Sequence, residues 1–138
     1  MVAPEVVIDT SVAFKLFVGF GEAGLDQAAA LLRAHRENEI QLIAPSTLPV
    51  EIANGLRYLL PDQKDVLGFL SDLESLHIGL FATDFDLVGR AARRALETDM
   101  GVYDALFLAL AEERGCPLVT ADRKAFEAVQ SPIEIRIL

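Results

Sequence analysis

A chain of 138 residues, 52% apolar and 24% charged, has the length and composition of one folded domain with a real core, expected over residues 1–138. Its one cysteine excludes an internal disulfide and a Cys-based zinc cluster, and its two histidines are too few and too scattered for a His-rich metal site. The formal charge of −9 argues against bulk electrostatic binding of nucleic acid, although a bound divalent cation would reverse the local sign.

No apolar run approaches the ~20 residues of a membrane span. The longest, Val102 to Ala111, is interrupted by Asp104. The N-terminus has no basic region and carries Glu5 in its first apolar stretch, so no secretory leader is expected and the cytoplasm is the default location.

In chain order, Val6-Val7-Ile8 opens a strand near Glu5–Asp9, and its lack of alternation marks a strand buried on both faces. Asp9, Thr10 and Ser11 follow, then a helical pattern. Leu25, Ala28, Ala29, Leu32 and His35 recur at helical spacing. A second strand spans Ile40–Ala44, and Ser46 is placed to cap a helix running to about Leu60. Pro61 breaks that helix and Asp62 can cap another through Leu76. A third strand lies near His77–Phe81. Thr83-Asp84-Phe85-Asp86 resembles a capping box, opening a helix with Val88, Ala91, Ala92 and Ala95 inward and Arg90, Arg93 and Arg94 mostly outward. Val102 to Arg114 forms a helix ended by Gly115. Strands near Pro117–Thr120 and Ile133–Ile137 complete the chain. Strands separated by helices predict an α/β fold: a three-layer sandwich around a mostly parallel five-stranded sheet.

Four acids stand out. Asp9 ends a buried strand, where open α/β sheets place their ligands, though capping the next helix would equally explain it. Asp122 repeats that arrangement after Leu118-Val119-Thr120-Ala121. Glu51 sits at the edge of the stripe Leu48, Ile52, Leu56 and Leu59, in line with Asn54 and Tyr58. Asp104 interrupts a helix that is apolar nearly all round, and Tyr103 and Phe107 beside it read as core. A buried carboxylate there needs a partner, either a basic side chain or a metal ion. Oxygen donors without His or Cys favour Mg2+ or Mn2+.

The segments Val7-Ile8-Asp9-Thr10-Ser11, Pro49-Val50-Glu51-Ile52-Ala53-Asn54, Val102-Tyr103-Asp104-Ala105-Leu106 and Leu118-Val119-Thr120-Ala121-Asp122, in this order and spacing, resemble the PIN domain and within it the toxin ribonucleases of the VapC type. The resemblance implies that Asp9, Glu51, Asp104 and Asp122 are catalytic and hold Mg2+ or Mn2+, with Ser11, Asn54 and Thr120 orienting carboxylates or waters. It implies metal-assisted cleavage of RNA that leaves a 5′-phosphate and a 3′-hydroxyl. It further implies a homodimer, and a cognate antitoxin that lays a peptide with a basic side chain over the acids. Lys15, about two turns into the first helix, is placed to contact an RNA phosphate. Two other readings compete: a phosphoryl-accepting receiver-like domain, for which Glu5 and Lys124 are poorly placed, and a PIN fold serving only as a binding module.

Overall fold

The computed structural model describes residues 2–17, 24–60 and 62–138. Its elements follow in the order β1 (Glu5–Ile8), α1 (Thr10–Phe17), α2 (Leu25–Arg36), β2 (Gln41–Pro45), α3 (Leu48–Leu59), α4 (Gln63–Ser75), β3 (Gly79–Phe81), α5 (Phe85–Thr98), α6 (Val102–Arg114), β4 (Leu118–Thr120), α7 (Arg123–Phe126) and β5 (Ile135–Ile137). Pro61, expected to break the helix before it, lies outside the described residues.

The strands form one sheet in the order β3-β2-β1-β4-β5, and every pairing is parallel. β1 is central, with Val7 opposite both Ile43 and Leu118. From β1 the chain builds outward through β2 to β3, then returns to place β4 on the other flank. The direction of winding therefore reverses between β1 and β4, the crevice where open α/β sheets bind ligands. α6 packs on β1, β2 and β4 with α5 against it, while α1 packs on α2, α3 and β4, and α3 on α4. With right-handed crossovers this covers both sheet faces and gives three layers.

The α6 helix is the anchor of the second face. Ala105 through Ala111 are all buried, and Phe107, Leu108 and Leu110 contribute about 1.5–3 kcal/mol each on burial. On the other face α1 meets α3 where Gly55 lies under the Phe14 ring. A Cβ at Gly55 would stand 2.3 Å from Phe14 Cζ, so any larger residue would displace the Phe14 ring.

Several local expectations change. Ser46 does not cap α3: its hydroxyl bonds the Thr83 hydroxyl at 2.9 Å and accepts the Thr83 amide, and α3 begins at Leu48. Thr83 is thereby engaged, and Asp84 is the residue that caps α5, accepting the Leu87 amide at 2.9 Å. This one-residue shift puts Leu87 with Ala91 in the core and leaves Val88 outside. Arg94 is not an outward solvated side chain, since it bonds Glu97, Glu112 and the Gln130 carbonyl. Leu59 leaves the inward stripe of α3, and Tyr103, 67% exposed, is not core, whereas Phe107 is. Asp62 caps α4 as expected, accepting the Lys64 amide. His35 is buried on α2, donating from Nε2 to the Leu76 carbonyl and accepting the Leu42 amide at Nδ1, which ties α2 to β2 and to the end of α4.

Candidate active site

Asp9 follows β1 and Asp122 follows β4, the two strands flanking the reversal in winding. Asp9 is 5% exposed. Its Oδ1 accepts the Ser11 hydroxyl at 2.5 Å and the Val12 amide at 3.2 Å, and its Oδ2 accepts the Thr120 hydroxyl at 2.5 Å. Thr120, fully buried, in turn accepts the Asp122 amide at 3.0 Å, and Ser11 accepts the Ala121 amide at 2.9 Å. Two hydroxyls thus stitch the ends of β1 and β4 around one carboxylate. Asp9 caps α1 and does more than cap it.

Burial pushes the Asp9 carboxyl up to about 6, against the pull of the Ser11, Thr120 and Val12 hydrogen bonds, with repulsion from Asp104 adding to the rise. Glu51 stands in the first turn of α3, partly buried, with the Thr47 hydroxyl donating to it at 3.4 Å. Burial first, then the charges of Asp104 and Asp9, raise it to about 7 despite that bond. Asp104 stands in the first turn of α6, also partly buried. Burial and the neighbouring Asp122 hold its carboxyl above the usual carboxylate range. Among the described residues no hydrogen bond or ion pair reaches Asp104. The choice left open by its sequence context, basic side chain or metal, therefore loses its first option within that set. Asp122 caps α7, accepting the Ala125 amide at Oδ1.

Asp104 raises the carboxyls of Asp9 and Glu51 and is raised by Asp122, which places the starts of α1, α3, α6 and α7 near one another at this sheet edge. Ser11 and Thr120 join them directly. Asn54 does not: it is exposed on α3 and makes no hydrogen bond to the acids. Lys15, partly buried on α1, already has an interaction partner. Thr10 is the addition. Its hydroxyl is buried with no partner within hydrogen-bond distance, yet lies near enough to Glu51 to favour that carboxylate's charged form. The only hint of it in the chain is a hydroxyl residue directly after Asp9.

No group of three or more His, Cys, Asp or Glu side chains among the described residues closes tightly enough to cage a metal ion. The donor chemistry nonetheless fits a hard divalent cation. All donors are oxygen, three carboxylates resist ionising beside one another, and an orphaned hydroxyl points among them. Mg2+ in particular retains several waters and takes only one or two carboxylates directly, so an open set of acids suits it. From Asp104 and Asp122 a cleft of about 740 Å³ opens between the end of α5 and α7.

The family model for the PIN domain matches residues 6–131. The ribonuclease VapC9 of Mycobacterium tuberculosis is similar to this chain, 32% identical over 136 residues that cover 96% of it and 98% of the relative. Among solved structures, VapBC2 of Rickettsia felis bound to a promoter DNA fragment resembles it with a TM-score of 0.72 at 13% identity, covering 97% of this chain and 98% of the other. VapC20 of M. tuberculosis, a toxin that cleaves the sarcin-ricin loop, resembles it with a TM-score of 0.70 at 15% identity, covering 91% and 96%. The chain belongs to the PIN-domain family, within its group of VapC ribonucleases.

Proposed function

We propose that this protein is an endoribonuclease that uses Mg2+ or Mn2+ to hydrolyse phosphodiester bonds of RNA, and that it is the toxin of a toxin–antitoxin pair. The observation that carries this reading is that Asp104 lies near enough to Asp9 and Glu51 to raise both carboxyls, and near enough to Asp122 to be raised itself, beside the switch point of the sheet, with no basic side chain bonded to these acids among the described residues. Asp9, Glu51 and Asp104 would hold the cation, with Asp122 as a fourth ligand, directly or through water. What a bound divalent cation supplies is Lewis acidity at the scissile phosphate and at the attacking water. The chain's own residues do the positioning. Ser11, Thr120 and the Val12 amide fix both oxygens of Asp9, and the unpartnered Thr10 hydroxyl orients a water beside Glu51. No side chain needs to act as the nucleophile.

Two partners accompany this reading. A toxin–antitoxin complex from Klebsiella pneumoniae and VapBC-5 of Mycobacterium tuberculosis, a member of the VapBC family of toxin–antitoxin systems, are similar in fold, and an acidic site suits inhibition by a cationic peptide. A homodimer is supported by α5, where Phe85, Val88 and Leu96 form an exposed apolar stripe at helical spacing. No helix among the described residues is long and apolar enough to cross a membrane.

The test is cleavage of a labelled RNA by purified protein. Cleavage should require Mg2+ or Mn2+, stop on chelation, and fall at least ~1000-fold in Asp9→Asn with the circular dichroism spectrum retained, as expected when a charged group central to the transition state is lost. Cleavage that persists in chelator, or in the folded Asp9→Asn protein, overturns the assignment.

A further inference from the structure

The scissile phosphate would be neutralised by the cation, but its neighbours along the strand would face a protein of charge −9. Several of the basic side chains that could offset this are committed to acids. Arg90 pairs with Asp86, Arg114 with Glu5, Arg136 with Glu134, and Arg94 with Glu97 and Glu112. In the cleft beside the catalytic acids the exception is Lys124. It lines the same space as Asp104 and Asp122, is exposed, and has no carboxylate within 4.0 Å among the described residues. Its neighbour Arg123 leans toward Glu127 at 3.9 Å, but the residue one turn beyond Lys124 is Ala128. Asp122, the nearest acid in sequence, is turned to the Ala125 amide.

The cleft is also shaped for a chain with bulky side groups. Gly101, Ala125 and Ala128 contribute little volume to its walls, and a Cβ built on Gly101 would meet nothing within 4 Å. Its far wall is held in place, because Arg94 bonds the Gln130 carbonyl at 2.7 Å and Ser131 donates to Glu112 at 2.6 Å. The cleft thus begins at Asp104 and Asp122, is also lined by Glu97 and Asp99, and among the described residues carries one cation, Lys124, that is not paired with an acid.

We propose that this cleft holds the single-stranded RNA segment adjoining the scissile phosphate, and that the Lys124 ammonium binds a backbone phosphate there. The proposal rests on the ribonuclease reading and names the path of its substrate. A phosphate contact of this kind strengthens binding to all sequences alike and steepens its salt dependence.

The experiment compares wild type with Lys124→Gln, Lys124→Arg and Arg93→Gln, the last making the same charge change on the exposed face of α5. The probe is a fluorescein-labelled single-stranded RNA of random sequence, read both as cleavage in Mn2+ and as binding by anisotropy across a NaCl series. Lys124→Gln should raise KM and Kd about tenfold with kcat within about twofold, and should flatten the log–log salt slope by about 0.7. Lys124→Arg should restore both, and Arg93→Gln should match wild type. Equal KM, Kd and salt slope in Lys124→Gln overturn the proposal, as do equal losses in Arg93→Gln or no RNA binding by wild type. Lys124-dependent binding without any cleavage by wild type would instead overturn the ribonuclease reading and leave the cleft assignment standing.

Discussion

Asp9 and Asp104 are the same residue type at the same sheet edge, but they are held in opposite ways. Asp9 has both oxygens engaged by Ser11, Val12 and Thr120. Among the described residues Asp104 has no hydrogen-bond or ion-pair partner and is held by the position of its helix, which the buried run Ala105–Ala111 anchors. One half of the site is preorganised by hydrogen bonds that the protein supplies. In the other half, Glu51 accepts only a long bond from Thr47, and Asp104, at the mouth of the cleft, accepts none among the described residues. On the proposed reading, the rigid carboxylate would fix where a cation sits and the looser ones would complete its ligands.

That contrast predicts different costs for disturbing each half. The largest effect on stability should come from Thr120→Val, which removes the donor to a buried carboxylate and the acceptor of the Asp122 amide. It should cost about 3 kcal/mol in urea unfolding, and activity should fall with it; a loss under 1 kcal/mol would mean that Asp9 does not depend on this bond.

Next comes pH. The folded state raises Asp9 from 3.8 to about 6 and Glu51 from 4.5 to about 7. Folded protein therefore binds more protons than unfolded protein between those values, so these groups stabilise the metal-free fold most at acid pH. Their contribution is lost as pH rises from about 4 to about 7, by about 2 kcal/mol for the buried Asp9. Thermal melts in chelator should show the decline and its relief by Mn2+ near neutrality. A metal-free stability that rises from pH 5 to pH 7 in wild type, with the same profile in Asp9→Asn, would contradict the assigned shifts.

Ser11→Ala should cost about 1 kcal/mol, since Val12 and Thr120 still satisfy Asp9. Asp104→Asn should have the smallest effect and the opposite sign. Removing a partly buried, unpartnered charge should leave metal-free stability unchanged or raise it by up to about 1 kcal/mol, while activity is lost. Destabilisation of Asp104→Asn beyond about 1 kcal/mol would reveal a structural partner for that carboxylate.

The same contrast explains what could be read from the chain. The unalternating Val6-Val7-Ile8 and Leu118-Val119-Thr120 segments announce strands buried on both faces, and acids directly after them must fall at one edge of a parallel sheet. Asp104 was legible because it breaks an apolar helix. Less legible was anything set by which element lies across from a residue. Val88 and Tyr103 are apolar or aromatic at helical spacing but lie outside the core, because spacing reports a face and not its cover. Ser46 and Thr83 are good caps by type, yet they bond each other across 37 positions and leave the capping of α5 to Asp84. Asn54 follows Glu51 by three residues and still lies outside the acids, whereas Thr10, one residue from Asp9, is turned in without a partner. The Gly55–Phe14 contact that seats α3 on α1 has no local signature at all.

The central claim is that the rigid and the loose carboxylates share one divalent cation. Calorimetric titration of Mn2+ into the metal-free protein near pH 7 tests it most directly, with the buffer varied to count protons. Wild type should bind saturably and release protons from carboxyls that rest near 6 and 7, and Asp104→Asn should bind at least ~10-fold more weakly while remaining folded. Equal affinity and equal proton release in the folded Asp104→Asn protein would contradict a shared cation.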